Sequence, residues 1–300
     1  VLIGLPFSIY QTFVIEERFG FNRTTLQTYV LDTIKSIILA ILLGGPILAL
    51  ILWFFINSGS LGWLYCWLGV TLFSALLQFI APVLIMPLLN KFSPLPDGEL
   101  RSAILKYAQQ VDFQIQGIYT MDGSKRSSKL NAFFTGFGRF RKIVFYDTLV
   151  EKLDEQEIVA VLAHEMGHFK LKHIFKMLFS SFIQLGLMFF LLSLFLGNEG
   201  LSSAFSMEYT SIYSSLIFFG FIYSPVSLLI SIFFNSLSRK HEFEADQYAA
   251  KTTGTSEALI DSLKILSQAN LSNLTPHPIN VFIHYSHPPV LQRIEKLKRF

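Results

Sequence analysis

Glu157-Ile158-Val159-Ala160-Val161-Leu162-Ala163-His164-Glu165-Met166-Gly167-His168-Phe169-Lys170-Leu171-Lys172 is the stretch on which the rest of the chain turns. His164 and His168 are four residues apart, so on a helix their side chains share one face, about one turn from each other. Two imidazoles so placed can hold a tetrahedral zinc ion from one side. Glu165 follows the first histidine, where its carboxylate can take a proton from an activated water. The flanks favour a helix. They are apolar and rich in alanine, and Asp154 with Glu157 supplies a capping-box start. Two surface histidines on an ordinary helix are the plain alternative, and the groups further along the chain weigh against it.

Composition sets the surroundings of that helix. Of 300 residues, 52% are hydrophobic and 31 are Phe, a profile that belongs to membrane proteins. Four apolar runs are long enough to span a bilayer: 36–56, 61–89, 174–196 (with Lys176 near its start) and 212–234. Pro82 and Pro87 are placed to kink or end the second, and Pro225 falls near the middle of the fourth. The chain therefore divides into an amphipathic, interfacial segment (1–35), a membrane hairpin (36–90), a polar part with the histidine helix (91–173), a second hairpin (174–235) and a charged helical part (236–300). Four buried helices of a large soluble core are the alternative, disfavoured by two pairs of consecutive long apolar runs. The apolar start at 1–7 has no basic n-region and no small-residue cleavage site. It reads as the tail of an earlier membrane helix, not as a signal peptide.

Charge orients these spans. No Lys or Arg occurs in 36–90 or in 177–238, so both short hairpin loops lack basic residues. By the positive-inside rule the histidine helix lies on the cytosolic side of an integral membrane protein. The single cysteine, Cys66, excludes an internal disulfide and sits in an apolar run as a packed thiol. A net charge of +3 points to no nucleic-acid partner.

A catalytic zinc takes three protein ligands and leaves a place for water. A metzincin continuation would need Gly at 171 and His at 174, where this chain has Leu171 and Ile174; His173, one position off, reads as a residue of the membrane boundary. The other route is a downstream acid. In Ser238-Arg-Lys-His-Glu242-Phe-Glu244-Ala-Asp246, Glu242 and Asp246 share a helix face and Glu244 does not. Glu242 is the expected third ligand, and Asp246 is expected to accept a hydrogen bond from a ligating histidine. Ala245, Ala249 and Ala250 suit close helix packing; a solvated charged helix start is the alternative. In Ile283-His284-Tyr-Ser286-His287-Pro288-Pro289, the prolines open a short helix with Ser286 or His287 at its cap. His287 and Arg293 could donate to an oxyanion or a substrate carboxylate from there, or simply belong to a basic helical face. Between Gly123 and Tyr146 the pattern reads as a strand, a Gly-rich turn and a second strand over 142–146. Asn131 could then hold a peptide added to the sheet edge, unless this is a plain hairpin.

These blocks together resemble the type I CAAX prenyl endopeptidases, which are integral-membrane zinc metalloproteases. The likeness rests on Leu5-Pro-Phe-Ser-Ile-Tyr, Thr12-Phe-Val-Ile-Glu-Glu-Arg-Phe-Gly-Phe-Asn22, Lys91-Phe-Ser-Pro-Leu-Pro96, Gly123-Ser-Lys-Arg-Ser-Ser128 and Asn131-Ala-Phe. It continues through the His164–His168 motif, Glu242-x-x-x-Asp246 and His284-Tyr-Ser-His-Pro-Pro289, in order along the chain. The resemblance implies a mostly α fold: a polytopic membrane helical cage of seven helices around a chamber, with a zinc-metalloprotease domain that carries a small β-sheet. It implies one zinc held by His164, His168 and Glu242, catalysis by Glu165 and His287, and substrate contacts from Asn131 and Arg293. It also implies cleavage of a prenylated CAAX tail, at a bacterial inner membrane or the endoplasmic reticulum. Only four spans are visible here, so further helices of the cage are expected upstream. A membrane quality-control protease acting on unmodified proteins is the nearest rival, and a non-catalytic membrane module the more distant one.

Overall fold

The computed structural model describes residues 2–135 and 141–300. Helix α1, Leu5–Tyr10, runs on into a wider π-helical turn at Gln11–Glu16. Among the described residues, four helices are long and apolar enough to cross a membrane: α2 (Leu26–Asn57), α3 (Gly59–Leu89), α7 (His173–Phe195) and α9 (Ile212–Thr253). Much of their apolar surface points outward, as at Leu72, Phe179 and Leu229, which suits lipid and not water.

α2 begins well before the expected span at 36. The Thr25 hydroxyl accepts from the Thr28 amide and so starts the helix, and residues 26–35 form its first turns. Two charges in its first turns have partners in space. Asp32 pairs with Arg126, and Lys35 donates to the Leu88 carbonyl at 2.8 Å. In α3, Pro82 opens a π-helical turn at Ala81–Ile85, and the helix continues through Met86–Leu89. Proline removes one hydrogen bond there without ending the helix. Cys66 is buried between the spans, with its Sγ 3.5 Å from the Ile51 carbonyl.

The polar half holds a four-stranded sheet in the order β1-β2-β4-β3, made of β1 (Phe92–Pro94), β2 (Gly117–Met121), β3 (Ala132–Thr135) and β4 (Lys142–Tyr146). β2 and β4 are parallel, and among the described residues between them are a 3-10 turn at Gly123–Lys125 and strand β3, which pairs antiparallel with β4 to form a sheet edge. The Gly-rich turn expected between β3 and β4 lies outside the described residues. Helices α4 (Glu99–Gln110), α5 (Asp147–Lys152) and α6 (Glu155–Lys170) pack on this sheet around Ile104, Phe145, Leu149, Ile158, Leu162 and Met166. α6 starts at Asp154, which exchanges a capping box with Glu157 at 2.8 Å in both directions.

The helix of the fourth span continues beyond 234. α9 runs unbroken for 42 residues, through Pro225, until Gly254 takes the left-handed conformation (φ 80°). Its C-terminal half lies against α6. Gly167 makes this possible: a Cβ there would sit 3.1 Å from Ala245 Cα and 3.2 Å from the Ala245 carbonyl. Helices α8 (Glu199–Ala204), α10 (Glu257–Ala269), α11 (Pro278–His284) and α12 (Val290–Leu297) complete the described chain.

Candidate metal centre

α6 and α9 meet where their polar residues face each other. His164 Nε2 and His168 Nε2 are 3.2 Å apart. Glu242 brings Oε2 to 3.4 Å from His164 Nε2 and Oε1 to 3.3 Å from His168 Nε2. A tetrahedron whose corners lie about 2.0 to 2.1 Å from its centre has edges of about 3.3 to 3.4 Å. Each donor pair therefore stands near the edge length of a zinc coordination shell, with one carboxylate oxygen of Glu242 facing each histidine, and one donor atom from each of the three residues lies within 4.8 Å of the others. His164 and Glu242 are buried, so the triangle is fixed by packing.

The surroundings favour positive charge at this point. Burial would push the His164 imidazole down, and Arg293 adds to that. Hydrogen bonds to Asp246 and Glu242 outweigh both and lift it to about 9. A cradle that retains a proton so firmly suits a cation in its place. His164 Nδ1 lies 2.9 Å from Asp246 Oδ1, which sets the tautomer that turns Nε2 toward the triangle. Asp246 is in turn gripped by the Arg293 fork, Nε to Oδ2 at 2.8 Å and Nη2 to Oδ1 at 2.6 Å. Arg293 is therefore largely committed to Asp246, and its Nη1 points to Glu242 Oε2 at 3.6 Å.

A cavity of about 520 Å³ opens over this cluster, lined by Asn131, Glu165, His287 and Arg293 as well as by the three donors. His287 brings Nε2 to 3.4 Å from Glu242 Oε1, yet two thirds (67%) of its side chain is exposed. It does not cap α12, and neither does Ser286: the helix starts after Pro289, whose ring-locked, extended backbone occupies the cap position. Asn131 and Leu130 also border a second cavity of about 1030 Å³ beside α1 and α2. The two cavities share this stretch of the β3 edge.

Two residues were invisible to sequence reasoning. Asn270 uses its side-chain amide like a strand, with Oδ1 accepting from Leu130 N (3.0 Å) and Nδ2 donating to Leu130 O (3.2 Å). It closes the edge just before β3, and no local signal announces a contact made across 140 residues. His173 is not a bare boundary residue. It opens α7, but it is fully buried, with Nδ1 3.1 Å from His168 Nδ1 and Nε2 2.9 Å from Glu244 Oε2.

A membrane-embedded helical protein with a buried His-Glu-x-x-His cluster and an acid from a second helix is, as a class, an integral-membrane metallopeptidase. Residues 94–300 match the model of peptidase family M48, and residues 1–91 match that of the CAAX prenyl protease N-terminal region, described as five membrane helices. The chain belongs to peptidase family M48, in its CAAX prenyl protease group. It is 40% identical to the CAAX prenyl protease 1 homolog of Arabidopsis thaliana, over 99% of this chain and 70% of that protein. It is 37% identical to CAAX prenyl protease 1 of Saccharomyces cerevisiae, over 99% of this chain and 69% of that protein. The crystal structure of S. mikatae Ste24p superposes with a TM-score of 0.93 at 37% identity, covering 99% of this chain and 72% of that one. The expected mostly α, membrane-spanning fold with a small sheet is thus observed, and the metallopeptidase class with it.

Proposed function

We propose that this protein is a zinc endopeptidase that cuts near the C-terminus of CAAX-type substrates at the membrane, with its catalytic part on the cytosolic side. The observation that supports it most is the cluster of His164 Nε2, His168 Nε2 and the Glu242 carboxylate, whose donor atoms lie within 4.8 Å of one another and open to a cleft. These three residues hold the ion. When bound, zinc acts as a Lewis acid that polarises a carbonyl and makes water more acidic. Glu165, on the cleft wall beside His164, takes the proton of the attacking water and returns it to the leaving amine. His287, with an exposed imidazole at the cleft mouth, turns inward to donate to the oxyanion. Arg293 acts with it through the one nitrogen not bound to Asp246.

Substrate lies extended along β3, an edge strand that leads to the cluster, with Asn131 as a contact. The names of the relatives supply the CAAX class, and a prenyl group on such a tail has lipid-facing helices beside it. The absence of Lys and Arg from both hairpin loops, against their abundance in the polar parts of the chain, supports a cytosolic orientation of the metal side.

The test is hydrolysis, in detergent, of a farnesylated CAAX peptide beside its unprenylated twin, with Glu165→Gln and a zinc chelator as blanks. Faster cleavage of the prenylated peptide, abolished in both blanks, is the expected outcome. Wild-type turnover by Glu165→Gln would sink the mechanism, and equal cleavage of both peptides would replace CAAX selection with selection by access alone.

A further inference from the structure

We infer that His173 and Glu244 form a positioning line that fixes the second imidazole of the metal centre, His168. The inference rests on the reading of His164, His168 and Glu242 as metal ligands. It concerns a group to which sequence reasoning gave no task. The helix that carries Glu242 holds three acids at alternate positions: Glu242, Glu244 and Asp246. Glu242 faces the triangle and Asp246 holds His164. Glu244 points to the other side of α9, where its Oε2 meets His173 Nε2 at 2.9 Å.

The direction of the hydrogen bonds follows from the ligand role. If His168 presents Nε2 to an ion, its proton must sit on Nδ1. That N–H points at His173 Nδ1, 3.1 Å away, which must then accept. The proton of a neutral His173 is thereby placed on Nε2, where it donates to the Glu244 carboxylate. Every ring nitrogen in the line has one task, and only one sense of donation keeps His168 Nε2 free for metal. Run the other way, the line would put a proton on the ligating nitrogen. His164 reaches a carboxylate directly, through Asp246, whereas His168 reaches one through an intervening ring.

The chain is shaped to allow this. α6 ends at Lys170, and Lys172 takes the left-handed conformation (φ 58°), an uncommon state for a residue with a side chain. The break turns α7 so that His173 folds back beside His168 instead of continuing around the helix. His173 then stacks on His241, with ring centroids 4.1 Å apart and planes 14° from parallel.

A rival for the same residues is a second cation site, since His173, His241 and Glu244 bring ligand atoms within 4.8 Å of one another. The stacking argues against it. The lone pair of each ring nitrogen lies in its own ring plane, and two nearly parallel planes do not converge on one ion about 2.0 to 2.1 Å from both nitrogens. His241 Nδ1 has no hydrogen-bond partner among the described residues, so His241 serves as a stacking wall for the line, not as part of it.

The test measures zinc affinity directly, by competition with a chromophoric chelator, in full-length wild type, His173→Phe, Glu244→Gln and the double variant. Phe keeps the ring and the stack and removes both nitrogens. Loss of the partner that orients a ligating histidine weakens metal binding by about 10- to 100-fold. We expect that loss in His173→Phe, a smaller one in Glu244→Gln, and no further loss in the double variant, because both act through one line. The melting temperature of the metal-free proteins should stay close to wild type. Wild-type affinity in His173→Phe, or additive losses in the double variant, would overturn the line while leaving the metal site intact. Should His173→Phe not fold, Glu244→Gln with unchanged affinity would overturn it equally. A wild-type chain that takes up no zinc would overturn the metal reading and this inference with it.

Discussion

Gly167→Ala adds one methyl group inside the His-Glu-x-x-His motif, and two effects of known size oppose each other there. Replacing a mid-helix glycine by alanine stabilises a helix by about 1 kcal/mol. The new Cβ, however, meets Ala245 Cα at 3.1 Å and the Ala245 carbonyl at 3.2 Å. Both are backbone atoms, so no rotamer change can relieve the contact. Carbon atoms at rest stand about 3.5 to 4.0 Å apart, which asks α6 and α9 to separate by about half an ångström. Overpacking of this kind costs about 1–3 kcal/mol. The metal-free protein can let the helices part and keep its helical gain, so its melting temperature should change little. The metal-bound form cannot. The Glu242–His164 edge is 3.4 Å. Widened by half an ångström, it would imply ligands at about 2.4 Å, outside the tolerance of about 0.2 Å for a zinc site. The strain then falls on binding, a loss of about 5- to 150-fold in zinc affinity. Chelator competition and metal-free melting, measured on the same preparation, separate the two effects. Unchanged zinc affinity together with a raised melting temperature would refute the argument that the glycine sets the distance between the helices.

Glu242→Ala should abolish stoichiometric zinc by elemental analysis, whereas Glu244→Ala, though weaker in affinity, should still carry one equivalent at saturating zinc; equal zinc content in both would remove Glu242 as a ligand. Arg126 ties the first described helices to the sheet through Asp32 (2.7 and 3.0 Å) and Asn90 (3.0 Å). Arg126→Ala leaves a half-buried carboxylate without its partner at a cost of about 1–3 kcal/mol. It should speed limited proteolysis in 17–25, and a digestion pattern identical to wild type would argue that the helices are held by other means.

The readable parts of this molecule were those whose physics is local. The capping box at Asp154 and Glu157, the shared face of His164 and His168, and the spacing of Glu242 and Asp246 all follow from local helical geometry; the structure forms the capping box and gathers His164, His168, Glu242 and Asp246 in one cluster. What the sequence concealed depends on the chain meeting itself. His173 acquires its place because Lys172 breaks the helix, and Asn270 acquires its place through a contact with Leu130 far along the chain. The start of α2 was hidden for a related reason. Asp32 and Lys35 are charges in the first turns of a long apolar helix, and their partners, Arg126 and the Leu88 carbonyl, lie far along the chain. The cap of α12 was misplaced by a few residues because two successive prolines hold the chain extended before the helix can begin.

One stiff rod crosses the apolar belt and holds the metal-facing carboxylate, because α9 is continuous from Ile212 to Thr253. At about 1.5 Å per residue, Glu242 stands about 26 Å along that rod from Pro225. Helices that are too long or too short for their bilayer tilt to fit it. A tilt of about 5° about Pro225 would carry Glu242 by about 2 Å unless α6 moved with it. The lipid around the protein is thus a mechanical input to its chemistry, transmitted through a lever arm. Turnover should peak at one acyl-chain length and fall on either side, and a flat profile across lipids of graded thickness would show that α6 and the bundle travel with the rod.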